Sequence, residues 1–197
     1  MARLAPLPVD DSDPELREGF GPKIANKGFL VNSLRIMQRR PKLLKAQLKM
    51  SAAVWDPEGE VSVSFKRLLA YAASRKQECN YCMAHNALGA LKRGIDEEKL
   101  AAVPQFQTSP LFTEAERVAM EFAIAAASQP NAVTDELFER MKQHWTEGQI
   151  VEITAIIAWF GFMNRWNDTM ATPLEPDAIE VAEKHIAKQG WKLGIHG

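Results

Sequence analysis

The chain has 197 residues, 46% hydrophobic and 25% charged, which suits one ordinary globular domain that can bury a core without disulfide staples. Its 24 basic and 25 acidic residues nearly cancel, so there is no general basic field for nucleic acid and no acidic tail. No apolar run reaches the roughly 18 residues that cross a bilayer; the longest, ITAIIAWFGFM (153–163), is bounded by Glu152 and Asn164-Arg165 and reads as a buried helix.

The opening stretch MARLAPLPVDDSDPELREG has no apolar signal core. The expectation is a cytoplasmic protein with neither membrane nor nucleic acid as partner. Rich in Pro, Asp and Gly, residues 1–25 read as an extended arm. GFLVNSLRIMQRR (28–40) then places Phe29, Leu30, Leu34 and Met37 at helical spacing. Pro41 suits the first turn of a helix over 41–55, and DPEGE (56–60) is a turn. Phe65, Leu68, Leu69, Ala72 and Ala73 mark a helix over 63–77; EVSVSF (60–65) is the nearest approach to a strand, and it is short.

AHNALGALKRG (84–94) is helical, with Gly94 at its close. Asp96 is placed to cap a short helix, and PQFQTSPLF (104–112) is a loop. Thr113 with Glu116, and later Thr146 with Gln149, have the spacing of capping boxes. The first opens a helix ended by QPNAV; the second opens a long apolar helix from about 148 to 171, stopped by Pro173 and Pro176. Between them lies the amphipathic segment 134–145, and a last helix covers 177–189. The fold class is therefore all-α: a helical domain over 26–175, then a C-terminal helix and tail over 176–197.

Both cysteines of the chain lie in ECNYCMAHN (78–86). On a helix Cys79, Cys82 and His85 follow one another at intervals of three and share a face. A disulfide between the cysteines closes so small a loop that its entropic gain is slight, which makes a staple a poor explanation. Redox chemistry uses the spacing better: one thiolate attacks, the other resolves, and the imidazole relays the proton. A structural zinc would need a fourth ligand, and His144, His185 and His196 are remote in sequence, so no metal is expected. Covalent haem attachment needs histidine where Met83 stands. Two cysteines that merely pack in a core remain the bland alternative. Helix-dipole reasoning makes Cys79, at the helix start, the favoured thiolate.

The segment SRKQECNYCMAHN (74–86) resembles the core of the carboxymuconolactone decarboxylase and AhpD-like alkylhydroperoxidase superfamily. FTEAERVAMEFAIAAASQPNAVTDELFERMKQHWTEGQIVEITAIIAWFGFMNRWND (112–168) and NSLRIMQRRPKLLKAQL (32–48) resemble its peroxidase-related branch. The resemblance implies an AhpD-like fold of helical hairpins, assembled as a homo-oligomer (dimer, trimer or hexamer), with no cofactor. It implies reduction of a hydroperoxide by the dithiol, recharged by an external thiol or dithiol donor. It makes Cys82 the attacking residue, Cys79 the resolving one and His85 part of the proton relay.

Many members carry a relay glutamate about 12 residues before the first cysteine, where this chain has Arg67, preceded by Lys66. Glu78 is the nearby carboxylate that can substitute, and Arg67 is a cation that can steady a thiolate. The polar cluster NRWND (164–168) either returns a helix end to water or lines the cysteine pocket, and Tyr81 either tunes that pocket or packs. The aromatic residues Trp145, Trp159, Phe160, Phe162 and Trp166 offer surface for self-association. The competing functions are a lactone decarboxylase, which has no need of redox cysteines, and a redox-sensing oligomer without turnover.

Overall fold

Thr113 and Thr146 each accept the backbone N–H three residues on, while Glu116 and Gln149 reach back to the threonine N–H. These reciprocal bonds satisfy two orphan donors at each helix start, and they fix two of the ten α-helices of the computed structural model, which describes residues 2–27 and 29–197. In chain order these are α1 (Pro14–Lys27), α2 (Asn32–Met37), α3 (Pro41–Val54), α4 (Val63–Lys76), α5 (Asn80–Leu91), α6 (Glu97–Ala101), α7 (Glu114–Ala126), α8 (Asp135–His144), α9 (Glu147–Met170) and α10 (Pro176–His185). There is no strand among the described residues, and EVSVSF runs into α4, capped by Ser62. No helix among the described residues is long and apolar enough to cross a membrane.

The central element is the hairpin of α4 and α5. From Leu68 to Ser74 every α4 residue is buried, and α5 is nearly as deeply enclosed, with α7, α9 and α10 packed around the pair. A helix apolar on all sides belongs at the middle of a helical assembly. Lys66 is the exception in this core, 1% exposed, and its Nζ lies 2.6 Å from Glu152 of α9. A second, smaller cluster gathers Leu16, Phe20, Leu30, Leu34, Met37, Leu44 and Leu48, and leans on Met163 and Trp166 of α9.

That cluster corrects the expected arm. From Pro14 the segment is helical: Asp13 Oδ1 accepts the N–H groups of Glu15 and Leu16, and Leu16 and Phe20, one turn apart, face α3. The expected helix over 28–40 shortens to α2, and its first residue, Gly28, lies outside the described residues. Asp96 precedes α6 but makes no side-chain cap. Most of the aromatic surface expected for self-association is internal: Trp159 and Phe160 are buried, and Trp145 stacks on Phe65 at 5.6 Å. Phe162 stays 39% exposed.

Candidate active site

The turn between α4 and α5 makes the site. Cys79 N–H bonds to Ser74 O and Glu78 N–H to Arg75 O, the two bonds of a Schellman motif. Its left-handed position is held by Glu78, at φ 58°. The motif reverses the chain within three residues, so Cys79 becomes the N-cap of α5 and its Sγ accepts Cys82 N–H at 3.4 Å. Both cysteines are free thiols and buried. Burial, followed by the bond and charge of Cys82, pushes the Cys79 thiol well above its ordinary pKa. This desolvation opposes the helix-start argument for Cys79 as the resting thiolate.

One turn past Cys82, His85 Nε2 lies 2.6 Å from Glu175 Oε2, and Tyr81 donates its hydroxyl to Glu175 Oε1 at 3.1 Å. Tyr81 and His85 are i and i+4 on α5, their rings 4.6 Å apart, so one carboxylate spans both. Glu175 is 4% exposed and also accepts the N–H of Asn32. Burial works against its charge, but the charge and hydrogen bond of His85, with the backbone N–H groups, win and hold its pKa below the usual carboxylate value.

The last turns of α9 form the opposite wall. Asn167 Nδ2 donates to Cys82 Sγ at 3.4 Å, and Asn164 bridges Ser74 and Gln77 at the end of α4. Asp168 meets His196, whose Nε2 is 3.2 Å from Asp168 Oδ1 and whose Nδ1 is 2.9 Å from Thr172 O. The Cys79 sulfur, an Asp168 oxygen and a His196 nitrogen lie within 4.8 Å of one another. Of the NRWND cluster, then, Asn167 and Asp168 face the cysteine pair, while Arg165 is exposed and bonds Gly161 O and Gln129.

Cys79, Cys82 and His85 are thus placed on the first turns of one helix, as their spacing predicts. Glu78 is not placed with them: it is exposed and holds the left-handed position of the turn. Arg67 also goes elsewhere. Seven residues before Ser74, it sits about 10 Å down the hairpin from the turn, donates to Asn86 Oδ1 and lies 3.7 Å over the Trp55 ring. Burial, then repulsion from Arg93, draws its pKa down to about 9. Glu175 and His196 are the residues that sequence reading missed. The one signal for Glu175 was its place before Pro176, which marks an N-cap carboxylate; yet it leaves its own helix uncapped and turns to α5.

Residues 41–125, from α3 almost to the end of α7, match the model of the carboxymuconolactone decarboxylase family. YnjA of Escherichia coli (strain K12) is 33% identical over 97 residues, 49% of this chain and 53% of YnjA, so the chain spans about half the length of that relative. The crystal structure of the apo debrominase Bmp8 superposes with a TM-score of 0.83 at 31% identity, covering 91% of this chain and 95% of Bmp8. A Cys-to-Ala variant of Bmp8 in complex with 2,3,4-tribromopyrrole gives 0.82. A peroxidase-related protein from Silicibacter sp. TM1040 shares the fold at a TM-score of 0.78 and 18% identity, over 90% of this chain and 93% of its own. The proteins of this group with named activities are enzymes. Identity above 30% held along 95% of another chain, with a family match through the very hairpin that carries the thiols, makes this protein a member of the carboxymuconolactone decarboxylase family.

Proposed function

We propose that the protein is a dithiol-dependent hydroperoxide reductase in which Cys82 attacks and Cys79 resolves. The observation that carries this reading is the division of surroundings within the pair. Cys82 faces an amide donor, Asn167, and lies one turn from the hydrogen-bonded His85–Glu175 pair; Cys79 is the fully enclosed helix cap. His85 takes the Cys82 proton, and Glu175 steadies the imidazolium so formed. The thiolate attacks the terminal peroxide oxygen, the O–O bond breaks, and the departing alkoxide collects the proton from His85. Cys82 is then a sulfenic acid. The Cys79 thiol attacks that sulfur, its proton leaves with the hydroxide as water, and a disulfide remains. An external thiol or dithiol restores the pair.

The likeness to Bmp8 supports a second reading of the same thiols. There a halogen on an electron-rich ring takes the place of the peroxide oxygen. Cys82 sulfur takes the halogen as the ring carbon gains a proton, and Cys79 displaces halide to give the same disulfide. A stopped-flow measurement of thiol loss, with hydrogen peroxide, an organic hydroperoxide and a brominated pyrrole as separate oxidants, decides between them. On the peroxide reading, Cys82→Ser is inert, and Cys79→Ser reacts once and stalls as a sulfenic acid. Thiol loss confined to the pyrrole, with bromide released, selects the second reading; no loss with any oxidant removes both.

A further inference from the structure

The Thr172 carbonyl can only accept a hydrogen bond, so the 2.9 Å contact puts a proton on His196 Nδ1. A neutral ring then presents a lone pair at Nε2, and the group it meets, 3.2 Å away, is a carboxylate oxygen of Asp168. Two lone pairs at that separation repel unless something positive lies between them. The third member of the cluster is what makes this more than an ion pair. Cys79 Sγ lies within 4.8 Å of a His196 nitrogen and an Asp168 oxygen, so sulfur, nitrogen and oxygen donors converge from three separate segments: the cap of α5, the last turn of α9 and the tail. Those are the ligand types of zinc, and donors around a four-coordinate ion with bonds of about 2.0–2.3 Å stand roughly 3–4 Å apart. The bond from Nδ1 to a backbone carbonyl is the outer contact that commonly orients a metal-binding imidazole. Cys79 and His196 are 0% and 2% exposed; a thiolate and a carboxylate cancel a double positive charge, so the loaded site is neutral where burial most requires it. In the same corner Asn167 Oδ1 and Thr172 Oγ1 are buried oxygens without a hydrogen-bond partner.

We propose that Cys79, Asp168 and His196 form a zinc site of the reduced protein, with a fourth position open to an exogenous ligand. On binding, the Cys79 thiol loses its proton as the S–Zn bond forms, while Nε2 and the carboxylate donate lone pairs; nothing is oxidised. The ion holds the resolving sulfur and leaves Cys82 outside the donor set. Hydrogen peroxide, with one proton from solvent, converts the Cys82 thiol and the zinc-bound Cys79 thiolate to one disulfide and two waters, which removes the sulfur ligand and releases the zinc. Metal occupancy thereby follows the redox state of the pair.

The test is a titration of the reduced full chain, free of oxygen, with Zn²⁺ against a chromogenic chelator, and in parallel with Co²⁺. Wild type and Cys82→Ser are expected to take up one Zn²⁺ each, the disulfide form none, and Cys79→Ser and His196→Ala to bind at least about 10–100-fold more weakly. Cobalt is expected to show thiolate charge transfer and the intense visible bands of a four-coordinate ion. Absence of stoichiometric uptake, which is the result if only a proton occupies the gap, overturns the proposal. So does binding that Cys82→Ser abolishes and His196→Ala leaves intact, the mark of a simple dithiol chelate. If circular dichroism shows His196→Ala unfolded, Asp168→Asn, at a side chain 37% exposed, takes its place: weakened binding supports the site, and unchanged affinity ends the proposal. The titration reads occupancy and no turnover, so it stands apart from the peroxide assay.

Discussion

His85 and Glu175, 90 positions apart in the chain, meet at 2.6 Å. A carboxylate is expected upstream of the cysteines; the one that meets His85 comes from downstream, at the head of α10. Its position relative to the imidazole is what a proton relay needs: one group to carry the proton, another to hold the carrier.

Glu175→Gln is accordingly expected to slow the first thiol oxidation about 10–100-fold, less than the roughly 10²–10⁴-fold of His85→Ala, since the acid–base group itself remains. A positioning role predicts a lower kcat with little change in KM and a displaced pH–rate profile. The same carboxylate reports on stability. Its folded pKa is lowered, so its charge favours the fold above the unfolded carboxyl range, and that contribution is lost as pH falls through the lower folded value. Urea midpoints measured between about pH 5 and pH 3 are expected to fall further for wild type than for Glu175→Gln; parallel curves would contradict the assignment.

Glu78→Gly is expected to leave the thiol kinetics unchanged and to raise stability by about 1 kcal/mol, because a left-handed residue with a Cβ is strained by about 1–2 kcal/mol, part of which glycine returns as unfolded-state entropy. Loss of activity in this variant would restore Glu78 to the relay.

Lys66 and Glu152 test the core. Glu152 also accepts the N–H groups of Glu60 and Val61, so Glu152→Ala leaves a buried ammonium and two donors unpaired. Its side chain is 25% exposed, which tempers the loss to about 2–4 kcal/mol. The double variant with Lys66→Met is expected to regain part of it, and a denaturant double-mutant cycle measures the coupling.

Legibility followed the range of the interaction. Capping boxes, Pro41 and the interval of three between Cys79, Cys82 and His85 are local, and each appears in the structure where the sequence put it. Arg67 was misplaced because the family register aligns it with a relay position, whereas its side chain found a ring and an amide two turns away. Glu175 and His196 were invisible for a different reason. Nothing in a short tail of mixed glycine, apolar and basic residues signals that it folds back over a helix start; Trp191, which bonds Asn80 O at 2.9 Å, and the bond from Leu174 N to His196 O fix it there only in three dimensions.

Self-association remains a proposal, now resting on a narrower surface. Trp159, Phe162 and Trp166 stack in series along α9 at 5.6 and 6.2 Å, and Phe162 stays part-exposed beside Ala158, Arg165 and Met170. We propose that this stripe meets a second copy. Phe162→Glu is expected to shift the sedimentation of a dimer or larger species toward 22 kDa; a wild type that already sediments as a monomer at micromolar concentration removes the proposal.

In the proposed mechanism the sulfur that caps α5 is also a sulfur that changes bonding partner during turnover. A helix end is normally held by an oxygen whose chemistry never varies. If the pair cycles as proposed, the acceptor of the Cys82 N–H is remade each time the disulfide forms and breaks. On that mechanism the opening of the first turn of α5 is tied to the electron count of the pair. Amide hydrogen exchange at Cys82 is expected to differ between reduced and oxidised protein, in step with the oxidation state of the pair, while exchange at Leu68 and Leu69, in the middle of α4, is expected to stay the same.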